Sequence, residues 1–362
     1  MQRDLFYRDN MRNTFLILLS CCFASCQNLK TVDEKKIDWN PGAAGVPNYP
    51  MEYSMLSFVN ADSTSISSPT ASVGYKGSQW GDNVASVQVG DDLKAIPVRL
   101  NVTWLSYTED QFYTGSFVLP HDKILTLFKK GWPDFDYGIN KPITSTFKEI
   151  IVGMAPGGMV VVWLSGAGHQ VDVASFKAHK TDVDMKEFSG RSDYKFTRTQ
   201  YTKDQLKDTV ITDNLAKNGI PYGLWDKYRE HFSMRPKIVF DQHEPVKIGT
   251  IVMNFLNGEQ EEIDSAGVTK IEYTDRARIR SLNFNWSLQL GGKKQGFQLG
   301  ITFEPAEIVK AYEEIYGKDN KGQGELLVQI NRGNDHYQVF LQGDNKKVEL
   351  VKTQGEIYSQ NN

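Results

Sequence analysis

The stretch "LNVTWLSY" (Leu100–Tyr107) recurs in the second half of the chain as "LNFNWSLQ" (Leu282–Gln289), so the sequence spells Leu-Asn-x-x-Trp twice. If this is an internal repeat, the features that flank the motif must recur in the same order. They do, because each motif precedes a proline, Pro120 or Pro305, that opens a short segment with apolar residues at helical spacing. Both copies therefore predict strands followed by a helix.

A second match follows the helix in each copy. "IIVGMAPGGMVVVWLSGAGHQVDV" begins at Ile150 and "LLVQINRGNDHYQVFLQGDNKKVEL" begins at Leu326, and each is typical of three strands joined by two tight turns. This order predicts an α+β fold of two tandem related lobes, each a mainly antiparallel sheet with a packed helix. Trp104 and Trp286 would then occupy equivalent core positions. The alternative is a chance resemblance between two β-rich stretches, because short alternating strands resemble one another.

Residues 181–242 occur once, between the first lobe (46–180) and the second lobe (243–358). The segment "TKDQLKDTVITDNLAKNG" has helical spacing and ends in a helix stop. Behind it, Tyr222, Trp225, Tyr228 and Phe232 share one face of a further helix. We predict a helical brace that joins the two lobes, with this aromatic stripe in the core rather than on a ligand platform.

The N-terminal region carries a targeting pattern. A basic Met11-Arg12-Asn13 precedes an apolar stretch that is too short to span a bilayer, and Phe23-Ala24-Ser25-Cys26 then resembles a bacterial lipoprotein signal. We expect residues 1–25 to be a signal peptide, Cys26 to carry the lipid and residues 26–45 to form a tether. Cys21 is a rival acceptor, and an ordinary cleaved signal is the alternative. Gln27 after the cysteine favours the outer membrane, with the protein facing the periplasm.

The composition sets limits on function. With 23% charged residues, 12% aromatic residues and a net charge of −3, the chain has a globular composition and no basic excess for nucleic acid. Arg276, Arg278 and Arg280 alternate with Ala277 and Ile279, which we interpret as the solvent-facing side of a strand. All three cysteines lie in the N-terminal segment, so a mature chain from Cys26 predicts no disulfide and no cysteine nucleophile.

The sequence predicts no catalytic residues, no metal site and no cofactor. The six histidines lack the spacing of metal ligands. Ser165 lies in "WLSGAG", which lacks the strand-turn-helix context of a nucleophile elbow. Glu261, Glu262 and Asp264 form a carboxylate cluster without the context of a calcium loop.

The copies differ after the helix, where the first has several more residues, "GWPDFDYGINKP" (Gly131–Pro142). An aromatic and acidic loop that the repeated unit does not need is a favourable place for binding. We predict that it contacts a protein partner. The residues that we expect to bind are Trp132, Asp134, Phe135, Asp136 and Tyr137. The alternative is a loop that folds back over the end of its own sheet.

Four features together resemble one family: the lipoprotein signal, "FVLP" before a helix, "IIVGMAPGGMVVVWLSG" and "GIPYGLWDKYREHF". They resemble the bacterial lipoproteins that carry the domain of unknown function 2931, over about Trp39 to Gly355. The resemblance brings no reaction and no catalytic residues. Some members look like neighbours of secreted toxic effectors, which implies an immunity role.

These observations favour a lipid-anchored, non-enzymatic envelope protein that binds another protein, as an inhibitor or immunity protein. Its expected partners are the membrane, through the lipid on the N-terminal cysteine, and one protein. Two alternatives stay open: a structural or assembly lipoprotein of the outer membrane, and a hydrolase with an unrecognised site.

Overall fold

The computed structural model describes residues 36–136, 138–317, 319 and 321–360. Residues from Lys36 onwards form one compact unit. It has a mixed architecture in which strands predominate over helices. None of the helices in the described ranges is long and apolar enough to span a membrane.

The first part of the chain is rich in strands and contains one helix among the described residues. The elements are β1 (Ile37–Asp38), β2 (Asn40–Gly45), β3 (Met51–Val59), β4 (Ser65–Ser67), β5 (Ala71–Val73), β6 (Leu93–Lys94), β7 (Arg99–Ser106), β8 (Gln111–Val118), α1 (His121–Lys130), β9 (Trp132–Asp136), β10 (Lys141–Ser145), β11 (Glu149–Ala155), β12 (Met159–Gly166), β13 (His169–Lys177) and β14 (His179–Thr181).

Four short helices follow, and then a second strand-rich part with one long helix. The elements are α2 (Met185–Ser189), α3 (Arg198–Gln205), α4 (Thr209–Asn218), α5 (Leu224–Tyr228), β15 (Phe232–Phe240), β16 (Lys247–Phe255), β17 (Gln260–Ile263), β18 (Thr274–Arg276), β19 (Ile279–Leu290), β20 (Lys293–Phe303), α6 (Pro305–Tyr316), β21 (Gly324–Ile330), β22 (Tyr337–Gln342), β23 (Lys347–Glu349) and β24 (Thr353–Gln360). A 3₁₀ turn spans Gly267–Lys270.

Within the described residues these strands form three large sheets and two isolated pairs. The nine-stranded sheet has the order β2-β11-β12-β13-β17-β16-β19-β20-β24. A six-stranded sheet has the order β14-β8-β7-β3-β4, with β5 also on β3, and a five-stranded sheet has the order β18-β15-β21-β22-β23. The isolated pairs are β1-β6 and β9-β10. The predicted antiparallel sheets are confirmed, and the parallel pairs are β2 with β11 and β15 with β21.

Two large apolar cores lie between these sheets. The first core contains side chains from β3 and β7, from β11 and β12 on the facing sheet, and from α1, where Ile124 and Phe128 are buried. The second core contains side chains from β16, β19, β20 and β21, and Ile308 and Tyr312 of α6. In each case a helix and two sheet faces are removed from water together, which is the main favourable term in folding.

The two tryptophans of the repeated motif are buried in these cores, as predicted. Trp104 is 0% exposed and Trp286 is 2% exposed. Each is stacked on the residue directly opposite it on the next strand, Tyr113 at 5.3 Å and Phe297 at 5.4 Å between ring centroids. Burial on one strand face, with aromatic pairing across strands, explains why both segments form central strands.

The prediction that one helix carries the aromatic stripe at 222–232 is wrong. The helix α5 ends at Tyr228, Tyr222 is exposed, and Phe232 already belongs to β15. Phe232, Met234 and Pro236 are buried on alternate positions, so the pattern there has the period of a strand. The segment 40–45, at the end of the expected tether, forms the buried strand β2 in the nine-stranded sheet.

The interpretation of the three arginines as a solvent-facing row is also wrong. Arg276 is buried and donates two hydrogen bonds, of 2.6 and 2.8 Å, to the carboxylate of Glu261. Arg278 is 1% exposed, donates to Glu230 at 2.6 Å and lies 4.6 Å above the ring centroid of Phe232. Buried arginines are tolerated where carboxylates compensate their charge.

Candidate functional site

The loop that the sequence singled out is a small hairpin. Its strands β9 and β10 pair with each other over five residue pairs, from Lys141 opposite Asp136 to Ser145 opposite Trp132. The turn forms because the Asp136 carboxylate accepts hydrogen bonds from the amides of Gly138 at 2.8 Å and Ile139 at 3.2 Å. An aspartate that bonds the backbone two and three residues ahead favours a tight turn.

Asp134 is held across the hairpin by a short hydrogen bond. The Ser145 hydroxyl donates to it at 2.5 Å, and the amide of Phe135 donates at 2.7 Å. The bond from Ser145 and then that from Phe135 lower the pKa of Asp134, with a smaller contribution from His169. The side chain is exposed, so the hairpin presents a fixed negative charge to solvent at neutral pH.

The five residues predicted to bind a partner differ in their surroundings. Trp132 is half-buried, with its ring 4.9 Å from that of Phe147 and 4.3 Å from that of His169. Phe135 and Asp134 are exposed, and Asp136 is partly buried in the turn. Trp132 thus fixes the hairpin on the first core, as the fold-back alternative expects. Tyr137 and the proposed lipid acceptor Cys26 lie outside the described residues.

The hairpin forms one wall of a groove of about 630 Å³. Trp132, Pro133, Asp134 and Phe135 line that wall, and the turn between β12 and β13 contributes Ala167 and His169. The opposite wall comes from β16, β17 and the loop after it. It contains Thr250, Glu262, Ile263, Asp264, Ser265 and Gly267.

The groove is acidic and partly aromatic. Its carboxylates are those of Asp134, Glu262 and Asp264, and His169 is the basic side chain among its lining residues. Gly168 keeps the turn close to the far wall, since a Cβ there would lie 2.3 Å from a carboxylate oxygen of Glu262. The backbone at Gly168 also has φ +78°, a value that glycine adopts without strain.

Sequence reasoning missed the far wall. The carboxylate cluster at 261–264 was visible, but its members divide between two tasks: Glu261 pairs with Arg276, whereas Glu262 and Asp264 face the groove. Only the pairing of β13 with β17, at Gln170 opposite Gln260, brings these side chains beside the hairpin. No sequence pattern predicts this pairing between two distant strands.

The described ranges contain no group of three or more histidine, cysteine or acidic side chains arranged to hold a metal ion. The groove offers charge and aromatic surface, which suit recognition. Charged partners and aromatic anchors give protein interfaces their orientation and much of their binding energy.

Comparison with known proteins gives a family but no relative of known activity. No curated protein and no solved structure matches the chain. The model of a family described as "Protein of unknown function (DUF2931)" matches residues 25–223, which cover the first core and most of the four short helices. That match spans more than half of the 362 residues. The chain therefore belongs to the DUF2931 family of proteins of unknown function.

Proposed function

We propose that this protein is a non-enzymatic protein-binding module and that the groove beside the β9-β10 hairpin receives a basic segment of its partner. The observation that carries the proposal is the hairpin itself. Its strands pair only with each other among the described residues, and it holds the exposed Phe135 beside a groove that contains three carboxylates.

The chemistry of the groove selects the partner. A lysine or arginine side chain entering it would meet Asp134, Glu262 and Asp264, and its charge could lie against the rings of Trp132 and Phe135. A cation over an aromatic ring contributes about 0.5–1 kcal/mol at an exposed site and more when water is excluded. Opposite charges also speed association and reject wrongly charged partners.

The proposed location is the cell envelope, with a lipid on Cys26 anchoring the chain in the outer membrane so that it faces the periplasm. The basic, apolar and small-residue pattern before that cysteine supports this part of the proposal. In such a compartment the proposed partner is an incoming toxic enzyme, and this protein is its inhibitor or immunity protein.

We also propose that the architecture is a tandem duplication. Each half has a strand that runs parallel to a strand later in the chain. β2 pairs with β11, which follows α1 and the hairpin, and β15 pairs with β21, which follows α6. Each half also pairs its Trp strand between two antiparallel neighbours, β3 and β8 or β16 and β20. The hairpin is then an addition to the first half, because the described residues between α6 and β21 contain no strand.

The four short helices are proposed to brace the two lobes. Trp225 of α5 packs on Tyr49, with ring centroids 5.6 Å apart. Arg229, just after α5, donates to Asp172 of β13 at 2.5 Å, while the Lys227 carbonyl accepts at 2.5 Å from Arg278, the residue just before β19. One short segment thus bonds to strands on both sides.

Photo-crosslinking tests the binding surface directly. We would replace Phe135 with p-benzoylphenylalanine in the native cell, irradiate, and identify adducts by mass spectrometry. Phe196 is the matched control, because it is another exposed phenylalanine, on the loop before α3. We expect one protein adduct from position 135 and none from position 196. Adducts with several envelope proteins would favour the assembly alternative, and no adduct would contradict the proposal.

A further inference from the structure

A second cavity, of about 1060 Å³, lies away from the hairpin groove. One side consists of Tyr49, Trp80 and the helix α5, and the other of Arg280, Phe303 and the beginning of α6. A volume of this order suits a small organic ligand, since such sites usually measure about 300–1,000 Å³. Neither the family match nor the proposed protein-binding role assigns it a task.

Arg280 differs from the two arginines that precede it. Its Nη1 atom is shielded from solvent and has no hydrogen-bond partner in the described ranges, whereas Arg276 and Arg278 both pair with carboxylates. Burial lowers the pKa of Arg280, and Asp82 opposes this only through a longer-range attraction. A largely desolvated guanidinium without an anion is unfavourable, because burial removes the water that stabilises its charge.

A β-bulge places Arg280 in this position. In the pairing of β16 with β19, Asn254 lies opposite Ser281 and Phe255 lies opposite Ile279, so Arg280 is the extra residue. A bulge of this kind redirects a side chain out of the regular alternation, and bulges are common beside active sites. The backbone therefore departs from regular pairing at the residue whose cation faces the cavity.

Trp80 supplies a second unused donor. Its ring is buried, at 5% exposure, and is held edge-on against Trp163 with 4.9 Å between centroids, yet its Nε1 has no acceptor among the described residues. Buried indole nitrogens usually find a partner. The Nδ2 atom of Asn214, which also lines the cavity, is shielded without a partner in the described ranges too, and three such donors favour a ligand that accepts hydrogen bonds.

The carboxylates around the cavity are already engaged. Glu304 caps α6 by accepting from the amide of Glu307 at 2.7 Å, and Glu313 pairs with Lys227. Asp82 accepts from the amide of Gln79 at 2.8 Å. These bonds leave the Arg280 guanidinium and the Trp80 indole N–H available to an incoming anion, and Lys217, Lys310 and Asn214 are further donors among the lining residues.

We propose that this cavity binds a small organic carboxylate that carries an apolar or aromatic body. The carboxylate pairs with the guanidinium of Arg280, and the body lies against the rings of Trp80, Trp225 and Phe303. Arginine suits this task because its planar donors match the two oxygens of a carboxylate. The apolar walls supply the remaining affinity through burial of the ligand body.

Tryptophan fluorescence of the full-length protein tests the proposal, because Trp80 and Trp225 line the cavity. The probes are 4-phenylbutyrate and its uncharged analogue 4-phenyl-1-butanol. We expect the acid to change the emission saturably and to bind at least about tenfold more tightly than the alcohol, as the loss of a charged hydrogen bond implies. Equal affinities, or no binding of the acid, would overturn the proposal.

Variants then assign the preference to Arg280. In Arg280→Gln we expect the acid and the alcohol to bind equally weakly, whereas Arg280→Lys should keep part of the preference for the acid. Arg191→Gln is the control, since Arg191 is exposed and pairs with Asp193 elsewhere. Because Arg280 is unpaired, Arg280→Gln should melt no lower than the parent protein. A variant that folds and still prefers the acid would show that another residue binds it.

Discussion

At the scale of single residues, each core contains a tryptophan on a strand that has a paired neighbour on both sides: Trp104 on β7, and Trp286 on β19. Trp286 donates from Nε1 to the Asn334 side chain at 2.9 Å, so its one polar atom is satisfied inside the second core. The Nε1 of Trp104 has no such partner in the described part of the chain. Both rings nevertheless fill large volumes in closely packed surroundings, so replacing either should leave a cavity.

We expect Trp104→Ala and Trp286→Ala each to lower the free energy of unfolding by about 3–5 kcal/mol, because lost burial and a residual cavity both contribute. Urea unfolding followed by circular dichroism would measure the change. Tyr222→Ala is the control, since Tyr222 is 62% exposed. A loss below about 1 kcal/mol in either tryptophan variant would contradict a core position, because that is the ordinary effect of a point substitution.

His231 provides a residue-scale prediction with a pH dependence. Its Nε2 lies 2.9 Å from a carboxylate oxygen of Glu259, and this bond raises the pKa of His231 while burial acts against it. A folded-state pKa above the usual value of about 6.5 stabilises the fold fully below that pH. The contribution is lost as the pH rises through the raised pKa. The Arg229 carbonyl and the Asp172 carboxylate also raise the pKa of His231.

The melting temperature of the parent protein should therefore fall, relative to that of His231→Gln, as the pH is raised from 6 through the folded pKa. Differential scanning calorimetry at several pH values measures this difference, and His243→Gln serves as a control at an exposed histidine. A difference that stays constant with pH would show that the pair does not contribute as proposed.

The burial of the aromatic residues could be predicted from the sequence, whereas the burial of the arginines could not. The burial of Trp104 and Trp286 could be predicted because a large aromatic side chain in an alternating strand faces the core whatever its exact neighbours are. The burial of Arg276 and Arg278 could not, because it depends on Glu261 and Glu230, which reach them only after the chain has folded. Their charge alone indicated exposure to solvent, whereas pairing with carboxylates distant in the sequence allows both arginines to be buried.

At the scale of elements, the β9-β10 hairpin combines an anchored base with an exposed strand. Trp132 packs on Phe147 at the edge of the first core, whereas Phe135 is 37% exposed. The extra length in the first copy could be predicted from the sequence. Its folding as a paired hairpin, with Trp132 half-buried, depends on the neighbouring turn at His169, which sequence spacing did not reveal.

This division predicts different effects within one hairpin. Phe135→Ala should change the free energy of unfolding by no more than about 0.5 kcal/mol, as for ordinary surface positions. Trp132→Ala should be clearly more destabilising, because its ring loses contacts with Phe147 and His169. Chemical denaturation of both variants measures the comparison. If Phe135→Ala proves as costly as Trp132→Ala, the whole hairpin belongs to the core and the binding surface is lost.

At the scale of the whole molecule, the strand pairing between the two halves is slight. In the nine-stranded sheet they meet at β13 and β17 through the pair Gln170 and Gln260. Side-chain bonds reinforce that junction, where Trp163 donates to the Asn257 carbonyl at 3.1 Å and Gln170 donates to the Gly258 carbonyl at 2.5 Å. Residues from both halves line the hairpin groove and the second cavity, so each of these sites requires both halves to be folded together.

The proposed lipid on Cys26 would determine whether the whole protein is attached to a membrane. Cys26→Ala should release the chain into the soluble fraction, because acyl chains contribute about 0.8 kcal/mol per buried methylene to membrane affinity. Its circular dichroism spectrum should match that of the parent protein. Fractionation with a high-salt wash measures the change. A variant that still sediments with membranes after the wash would contradict anchoring through this residue.

The central claim is that the hairpin groove binds a protein partner, and the dissociation constant of the crosslinked partner tests it most directly. Isothermal titration calorimetry would compare the parent protein with Phe135→Ala and with the control Phe196→Ala. We predict that Phe135→Ala raises the dissociation constant about thirtyfold, which corresponds to the loss of an anchor of about 2 kcal/mol, while Phe196→Ala leaves it unchanged. Equal dissociation constants for all three proteins would contradict the claim.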